Sequence, residues 1–198
     1  MTRTDVINYF IKKFNYTSYL EIGIFRGENW RNVKCKYKTG VDPAPKMKDK
    51  TDILQMSSDM FFRDHADEFD IIFIDGLHHA SQVKKDILNS LMLLARGGTI
   101  LIHDCLPPGK EEQEVPRTTS IWTGDVWRAF AHYRKTLADY DIFCIDTDYG
   151  IGVIRHNPSG PFRNGTWWYQ DGMSYEDFAA NQKEILNLIS VKEFKKYI

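Results

Sequence analysis

The sequence is poor in features that mark secreted, membrane-spanning or disulfide-stapled proteins. It has only three cysteines, Cys35, Cys105 and Cys144, an odd number without the paired spacing of a disulfide framework or a zinc site. Two of them lie beside apolar runs, so we expect buried free thiols and a reducing, cytoplasmic compartment. Residues 1–8 lack the apolar core of a signal peptide, and no apolar run approaches the ~20 residues that a membrane span needs.

The chain also lacks an excess of either charge. Its formal net charge is −1, so no global field attracts nucleic acid or an anionic membrane, and we expect neither as a partner. A local basic run, Lys34, Lys36 and Lys38, is interpreted as a solvated face. The length of 198 residues fits one domain over 1–198, with a core at about 18–155 and a helical, aromatic extension at 156–198.

Short apolar runs alternate with helical periodicity along the chain. The runs at 69–75 and 99–103 show no in/out alternation, as expected of central strands that are covered on both faces. Strands that alternate with helices predict a parallel sheet with helices on both sides. The predicted strands are 18–24, 38–42, 52–56, 69–75 and 99–103, and the predicted helices are 4–14, 81–94 (stopped by Gly97-Gly98) and 174–197.

The end of the predicted core favours an antiparallel hairpin. Apolar runs at 141–146 and 151–155 flank a turn at Tyr149-Gly150. The expected fold class is therefore α/β, a Rossmann-like doubly wound sheet in a three-layer α/β/α arrangement, mostly parallel with a C-terminal antiparallel hairpin. The loop 105–122, which follows a central strand, is interpreted as a substrate lid.

Two later segments are rich in aromatic residues. The segment 122–128 begins a helix, and its side chains either contact an acceptor molecule or simply cover the sheet; the pattern favours neither. The run at 165–169 favours packing or a subunit contact, because exposed aromatic patches usually mark contacts.

The first candidate ligand-binding motif is Glu21-x-Gly23-x-x-x-Gly27, between a predicted strand and a predicted helix. The glycines allow a sharp turn and a close approach to a ligand at the carboxyl end of the strand. Their spacing differs from the G-x-G-x-x-G of dinucleotide binders, and a turn used only for packing is the alternative. Asp42, at the end of the next strand, could accept hydrogen bonds from ribose hydroxyls, or act only as a turn residue before Pro43.

Further polar residues follow the later strands. Asp59 could accept an adenine amino group, or cap the next helix together with its neighbours. The motif 75–79, Asp-Gly-Leu-His-His, and the pair His103-Asp104 both follow central strands and should open into one crevice. Two carboxylates and several imidazoles in one place exceed what a packed core tolerates without partners, so we interpret this cluster as chemical.

Taken in order, these motifs resemble the class I S-adenosylmethionine-dependent methyltransferase superfamily. The stretches MSSDMFF, IFIDGLHHASQVKKDI and GGTILIHD are similar to small bacterial methyltransferases of sugar and natural-product pathways, of the macrocin O-methyltransferase type. The resemblance implies a S-adenosylmethionine cofactor and an enzyme that methylates a small hydroxylated acceptor. It also implies cofactor contacts for Glu21, Gly23 and Gly27 (methionine part), Asp42 (ribose), Ser58 and Asp59 (adenine), Leu77 (adenine ring) and Asp75.

Some relatives of this type bind Mg²⁺ through acids at the positions of Asp75 and Asp104. The position that often supplies a third oxygen ligand is here Cys105, a poor ligand for magnesium. Whether Mg²⁺ or another divalent cation binds is therefore left open by the sequence. His103 could favour a softer metal or act as a base without one.

The catalytic expectation is removal of a proton from the acceptor hydroxyl during in-line methyl transfer. His103 is the first candidate base and His79 the second, with Asp75 and Asp104 orienting the base or binding a cation. His78 is expected to face the following helix. Two alternatives stay open: a non-catalytic adenosine-ligand-binding module, and an NAD-dependent oxidoreductase. A homo-oligomer is neither predicted nor excluded.

Overall fold

The computed structural model describes residues 1–157, 160–162 and 169–198. Within these ranges, eight strands form a single sheet in the order β3-β2-β1-β4-β5-β7-β6-β8. The strands are β1 (Ser18–Ile22), β2 (Tyr37–Val41), β3 (Ile53–Leu54), β4 (Phe69–Ile74), β5 (Leu94–Ile102), β6 (Tyr140–Ile145), β7 (Ile151–His156) and β8 (Leu188–Ile189). The helices are α1 (Arg3–Phe14), α2 (Glu28–Asn32), α3 (Ser58–Asp64), α4 (Ala80–Met92), α5 (Val126–Thr136), α6 (Tyr175–Ile185) and α7 (Val191–Tyr197).

The sheet separates two apolar cores, as the predicted three-layer arrangement requires. One core contains residues of α1, α2 and α7, and the other contains residues of α3, α4, α5 and α6. Strands β3, β2, β1, β4 and β5 are parallel, whereas β7 is antiparallel to both β5 and β6. The predicted α/β class with a closing hairpin is confirmed.

The register places three strand ends side by side. Ile22 of β1 pairs with Ile74 of β4, and Ile74 pairs with Ile102 of β5. The residues that follow these strands therefore emerge at one edge of the sheet. All three side chains are at most 3% exposed, because both faces of the central strands are covered.

The predicted glycine stop after the fourth helix was wrong. Helix α4 ends at Met92, and Gly97 and Gly98 lie within β5. The pairing of β4 with β5 shifts register between Phe69 and Ile71, so the glycines lie in an irregular start of the strand. A Cβ on Gly98 would lie 2.8 Å from the carbonyl oxygen of Asp70, which explains the residue type.

The long C-terminal helix predicted at 174–197 is interrupted. Asn187 adopts a left-handed conformation (φ 48°) after α6, and β8 then pairs in parallel with β6. Ser190 and Glu193 form a capping box that starts α7. That S-x-x-E signature was present in the sequence. Residues 165–168 of the predicted aromatic run lie outside the described residues.

Helix α1 begins at Arg3, one residue before the predicted start of the helix. Thr2 is its N-cap and forms a capping box with Asp5, so the first turn begins at Arg3. In the described part of the chain, no helix combines the length and apolar character needed to cross a membrane.

Candidate functional site

A cavity of about 850 Å³ opens at the ends of β1, β4 and β5. It is bordered by the loop after β1, the first turn of α1, the β6–β7 turn and residues 120–123 of the loop before α5. Its polar lining includes Glu21, Asp75, His78, His103, Asp104 and Asp148, together with Arg3, Arg26 and Arg117.

Four of these side chains form one cluster. His103 Nδ1 lies 3.1 Å from Asp104 Oδ1 and 3.3 Å from Asp75 Oδ1. His78 bridges the same two carboxylates, with Nε2 3.3 Å from Asp75 Oδ1 and Nδ1 3.3 Å from Asp104 Oδ2. The expectation that Asp75, His103 and Asp104 meet in one crevice is therefore confirmed by their positions.

Of the two histidines after β4, His78 lines the cavity and His79 does not, which is the reverse of the prediction. His78 was expected to face the next helix, but it lines the cavity, and its ring stacks on Trp122 with centroids 5.2 Å apart. His79 instead occupies the N-cap position of α4, and it is not among the cavity-lining residues. Neighbouring residues that leave a strand point in different directions, and only the turn geometry decides which one enters the site.

The backbone after β5 turns so that Asp104 faces the cluster. Asp104 has a left-handed φ of 61°, which an aspartate tolerates better than most residues. The following backbone amides of Cys105 and Leu106 donate to the carbonyls of Gly150 and Tyr149. Cys105 itself is buried, and its Sγ lies 3.5 Å from the carbonyl oxygen of Ile102, so it is turned into the core.

Sequence reasoning missed two members of the site, Arg3 and Asp148. Arg3 Nη1 donates to Asp75 Oδ2 at 2.8 Å and lies 3.2 Å from His103 Nδ1. Its Nε and Nη2 each reach an oxygen of Asp148 at 3.2 Å. Asp148 Oδ1 is also 3.3 Å from His103 Nε2. Neither residue belongs to a local motif, because long-range packing brings α1 and the β6–β7 turn to the site.

The cluster is electrostatically balanced by its own side chains. Burial opposes charge on His103, but the charge of Asp75 and hydrogen bonds with Asp104, Asp148 and Asp75 raise its pKa well above the usual value. Burial would raise the pKa of Asp75, yet the charge of His103 and hydrogen bonds with His103 and His78 hold it well below the usual range. The pKa of Asp148 is likewise lowered, by hydrogen bonds with His103 and the Arg3 backbone acting against burial.

The glycine loop contributes the inner wall of the cavity. Gly23 has a left-handed φ of 93°, and a Cβ there would overlap the carbonyl oxygen of Asp75, so only glycine fits. Glu21 is 2% exposed and accepts a hydrogen bond from Tyr19 Oη at 2.6 Å. Burial raises the pKa of Glu21 to about 7.

Asp42 has a structural partner that the sequence did not predict. Its Oδ2 accepts hydrogen bonds from the backbone amides of Ile24 (2.9 Å) and Phe25 (2.8 Å), and its Oδ1 accepts from Ala44 N (2.7 Å). The carboxylate therefore holds the glycine loop in shape. Gly27 is the left-handed N-cap of α2 and is buried against Met47.

The residues expected around the adenine do not line this cavity. Gln82 Nε2 donates to Ser58 Oγ (3.3 Å) and to Asp59 Oδ1 (2.9 Å), which joins α3 to α4. Leu77 is 52% exposed on the outer surface of the turn after β4. Of the residues expected at the cofactor, Glu21, Gly23 and Asp75 line the cavity. Gly27, Asp42, Ser58, Asp59 and Leu77 lie outside its lining.

The aromatic segment 122–128 has one part that reaches the cavity and another part that covers the sheet. Trp122 lines the cavity, and its Nε1 donates to the carbonyl of Glu114 at 2.7 Å. Trp127 is fully buried and stacks on Phe178 with a centroid distance of 4.0 Å. The loop before α5 therefore reaches the site, and the helix itself covers the sheet.

Three ligand atoms have the spacing of a cation site. One atom each of Asp75, His78 and Asp104 lies within 4.8 Å of the others. Two carboxylates and an imidazole suit a divalent transition metal better than Mg²⁺, which prefers oxygen ligands only. Asp75, His78 and Asp104 are the residues that would hold such a cation, with His78 rather than Cys105 as the third ligand.

Comparisons with known proteins agree with this architecture. A family model described as a methyltransferase domain matches residues 14–105. No curated protein sequence matches the chain. Among solved structures, the chain is similar to a Bacillus cereus O-methyltransferase in complex with S-adenosylhomocysteine, with a TM-score of 0.56 and 14% identity over 77% of this chain and 80% of that one.

Two further structures are similar to a comparable extent. The O-methyltransferase TomG from Streptomyces achromogenes, in complex with S-adenosylmethionine, has a TM-score of 0.55 and 13% identity over 78% of this chain and 79% of its own. The Podospora anserina methyltransferase PaMTH1, bound to S-adenosylhomocysteine, has a TM-score of 0.57 and 17% identity over 78% of each chain. Identities this low establish a shared fold. Together with the match over residues 14–105, they show that the chain shares the fold of these methyltransferases.

Proposed function

We propose that the protein is an S-adenosylmethionine-dependent O-methyltransferase whose acceptor is a small hydroxylated molecule, such as a sugar or a natural product. The observation that carries the proposal is the cluster of Asp75, His78, His103 and Asp104 in one cavity beside the glycine loop. In open α/β sheets, this crevice at the strand ends is the usual ligand site.

The cavity has a size that supports a small acceptor. Its volume of about 850 Å³ lies in the range of roughly 300–1,000 Å³ typical of small-molecule sites. Trp122 offers an aromatic face beside His78, on which a sugar or an aromatic acceptor would stack. The S-adenosylhomocysteine and S-adenosylmethionine bound by the similar structures point to the same cofactor here.

Cofactor contacts are proposed on the residues of the glycine loop and the strand ends. Glu21 and Gly23 would border the methionine part, since both line the cavity. Asp42 would hold the ribose with the acceptor capacity it has left, because its carboxylate receives three backbone hydrogen bonds out of about four lone-pair sites. Ser58, Asp59 and Leu77 stay predictions for the adenine.

The chemistry requires alignment and removal of one proton. When bound, the cofactor supplies an activated methyl group on a sulfonium, and alignment with the acceptor oxygen contributes ~7–11 kcal/mol to catalysis. The acceptor hydroxyl would hydrogen-bond to the Asp75–Asp104 pair, and Asp104 would take its proton as the methyl group passes from the sulfonium to the acceptor oxygen. A divalent cation held by Asp75, His78 and Asp104 would make that hydroxyl more acidic.

His103 remains the first residue proposed for catalysis, and its position favours an orienting role. Its side chain is 3% exposed, and each ring nitrogen lies within 3.3 Å of a carboxylate oxygen. A base needs a free nitrogen directed at the substrate, so His103 is better suited to holding Asp75 and Asp104 in place. His79, at the cap of α4, stays an untested alternative base.

The first test is binding of S-adenosylhomocysteine by isothermal titration calorimetry, for which we expect a micromolar Kd. No binding at millimolar ligand would overturn the proposal, and binding of NADH followed by fluorescence would favour an oxidoreductase instead. The second test is methyl transfer from labelled S-adenosylmethionine to a panel of sugars and phenols, read by mass spectrometry.

A conservative variant separates an enzyme from a non-catalytic binding module. Asp104→Asn should keep S-adenosylhomocysteine binding within about threefold and lower transfer ~10²–10⁴-fold, the usual contribution of proton transfer. Asp171→Asn, on an exposed residue outside the cavity, is the matched control and should transfer normally. Cofactor binding with no transfer to any acceptor would favour the module.

The proposal also covers the domain organisation and the cellular compartment of the protein. We place the chain in one domain, since β8 of the C-terminal extension pairs with β6 of the core. We place it in a reducing compartment such as the cytoplasm, since Cys35, Cys105 and Cys144 are free thiols.

A further inference from the structure

A second, strongly basic cleft lies on the other side of the glycine loop. It has a volume of about 420 Å³ and is formed by α2, the start of β2 and the segment that follows β2. Five cationic side chains line it: Arg26, Arg31, Lys38, Lys46 and Lys48. None of the roles proposed above uses this cleft.

The cations that line the cleft outnumber the carboxylates that line it. Among the described residues that line the cleft, Asp49 is the one carboxylate, and its Oδ1 accepts hydrogen bonds from Thr51 N (3.0 Å) and Thr51 Oγ1 (2.7 Å). Within residues 1–157, 160–162 and 169–198, none of the five cations forms an ion pair with a carboxylate. Converging cations without counter-charges repel one another, so a bound anion would relieve this repulsion.

Two of the cations are held by hydrogen bonds to backbone carbonyls. Lys38 Nζ donates to the carbonyl of Trp30 at 2.6 Å and lies 4.4 Å from the centre of the Trp30 ring. The expectation that Lys38 belongs to a solvated face was therefore wrong. Arg31 Nη1 donates to the carbonyl of Arg26 at 2.9 Å, which fixes its guanidinium beside the loop.

The outer part of the cleft leaves its donors available. The backbone amide of Lys46 donates to the carbonyl of Phe25 at 2.7 Å, which ties the segment after β2 to the glycine loop. The Lys46 and Lys48 side chains are exposed at the rim. Two cations held by backbone carbonyls and the exposed ammonium groups of Lys46 and Lys48 can surround an anion with several charged donors, as phosphate oxygens require.

We propose that this cleft binds a phosphate or pyrophosphate group of a small molecule. Arg26 lines both this cleft and the catalytic cavity, so an anion here would lie next to the methyl-transfer site. The concave shape and limited volume favour a small ligand, and the net charge of −1 gives no general attraction for a polyanion. The ligand is either a free anion or the phosphate of a larger molecule that extends into the cavity.

The direct test is a calorimetric titration with inorganic pyrophosphate at low ionic strength. We compare the wild-type protein with the double variant Lys46→Gln/Lys48→Gln and with the matched control Lys195→Gln/Lys196→Gln on α7. Both variants lose two exposed lysines, so they have the same net charge. We expect pyrophosphate to bind the wild-type protein and the control equally, and the cleft variant about tenfold more weakly.

Two results would overturn the proposal: no binding of pyrophosphate to the wild-type protein, or equal weakening in both double variants, which would indicate unspecific charge attraction. Binding of S-adenosylhomocysteine, measured on the same samples, should be the same in all three proteins and confirms that the cleft variant is folded. If S-adenosylhomocysteine binds to none of the three proteins, the proposed methyltransferase function is rejected. The pyrophosphate titration then still decides the phosphate proposal. Titrating glucose 1-phosphate beside inorganic phosphate separates the sources. Tighter binding of the sugar phosphate favours a larger molecule that extends into the cavity, and equal affinity favours a free anion.

Discussion

Replacement of Arg3 by alanine tests whether the first turn of α1 is part of the cluster formed by Asp75, His78, His103 and Asp104. Arg3→Ala removes the hydrogen bond to Asp75 and both side-chain hydrogen bonds to Asp148, and it keeps the one from the backbone amide. It also leaves these two carboxylates, whose side chains are 17% and 16% exposed, facing each other's charge without the guanidinium between them.

The expected loss of stability follows from the burial of this network. Breaking a fully buried ion pair costs about 3–5 kcal/mol, whereas an exposed pair contributes about 0–1 kcal/mol. The Arg3 side chain is 30% exposed, so solvent screening reduces the buried value, and we expect a loss of about 2 kcal/mol. For a chain of this length that loss corresponds to a decrease in Tm of ~4–8 °C.

The measurement is urea denaturation followed by circular dichroism, supported by thermal melts. The matched control is Arg63→Ala, because Arg63 pairs with Asp64 at 2.6 Å but its side chain is 67% exposed. We expect the control to lose less than about 0.5 kcal/mol. If Arg3→Ala is as stable as the control, the network does not hold α1 to the site and the reasoning is refuted.

The same variant has a predicted pH dependence. The carboxyl groups of Asp75 and Asp148 have folded-state pKa values below their usual range, so they stabilise the fold at neutral pH. That contribution is lost as the pH falls below the unfolded value of about 4 towards the lowered folded values. The difference between wild type and Arg3→Ala should therefore be largest near pH 7 and decrease in acid.

Three further predictions concern single side chains of the site. Burial raises the pKa of Glu21 to about 7, so the free energy of unfolding falls as the pH rises from about 4.5 to 7. In Glu21→Gln this decrease should be smaller by about 3 kcal/mol, measured by urea denaturation at both pH values. Asp42→Ala leaves the amides of Ile24 and Phe25 without their acceptor and should lower the free energy of unfolding by about 1–3 kcal/mol, whereas exposed Asp139→Ala should not. His78→Ala should weaken Mn²⁺ binding, measured by electron paramagnetic resonance, at least about tenfold, with His156→Ala as the unaffected control.

Local sequence signals were sufficient for the central strands and the residues at their ends. The unbroken apolar runs of β4 and β5 predict strands covered on both faces, and the register then aligns their carboxyl ends. Asp75, His103 and Asp104 could be assigned to one crevice because each directly follows a strand of a parallel sheet. The closing hairpin was also readable, since its two strands are adjacent in the chain.

Other features depend on contacts between distant parts of the chain. Arg3 and Asp148 are 145 residues apart, and they meet at the site because α1 packs beside the β6–β7 turn. The choice of His78 over His79 depends on how the backbone turns after β4. Asp42 has the residue type expected for a ribose ligand, but the backbone amides of the glycine loop are its neighbours in the fold.

The amino-acid sequence by itself determined the layered α/β architecture and the acidic, histidine-containing strand ends, because periodicity and strand-end position are local properties. Tertiary structure decided which side chains enter the cavity, what neutralises them, and that a basic cleft forms beside it. Those outcomes depend on the relative placement of α1, the β6–β7 turn and the segment after β2, and no local pattern encodes the distance between them.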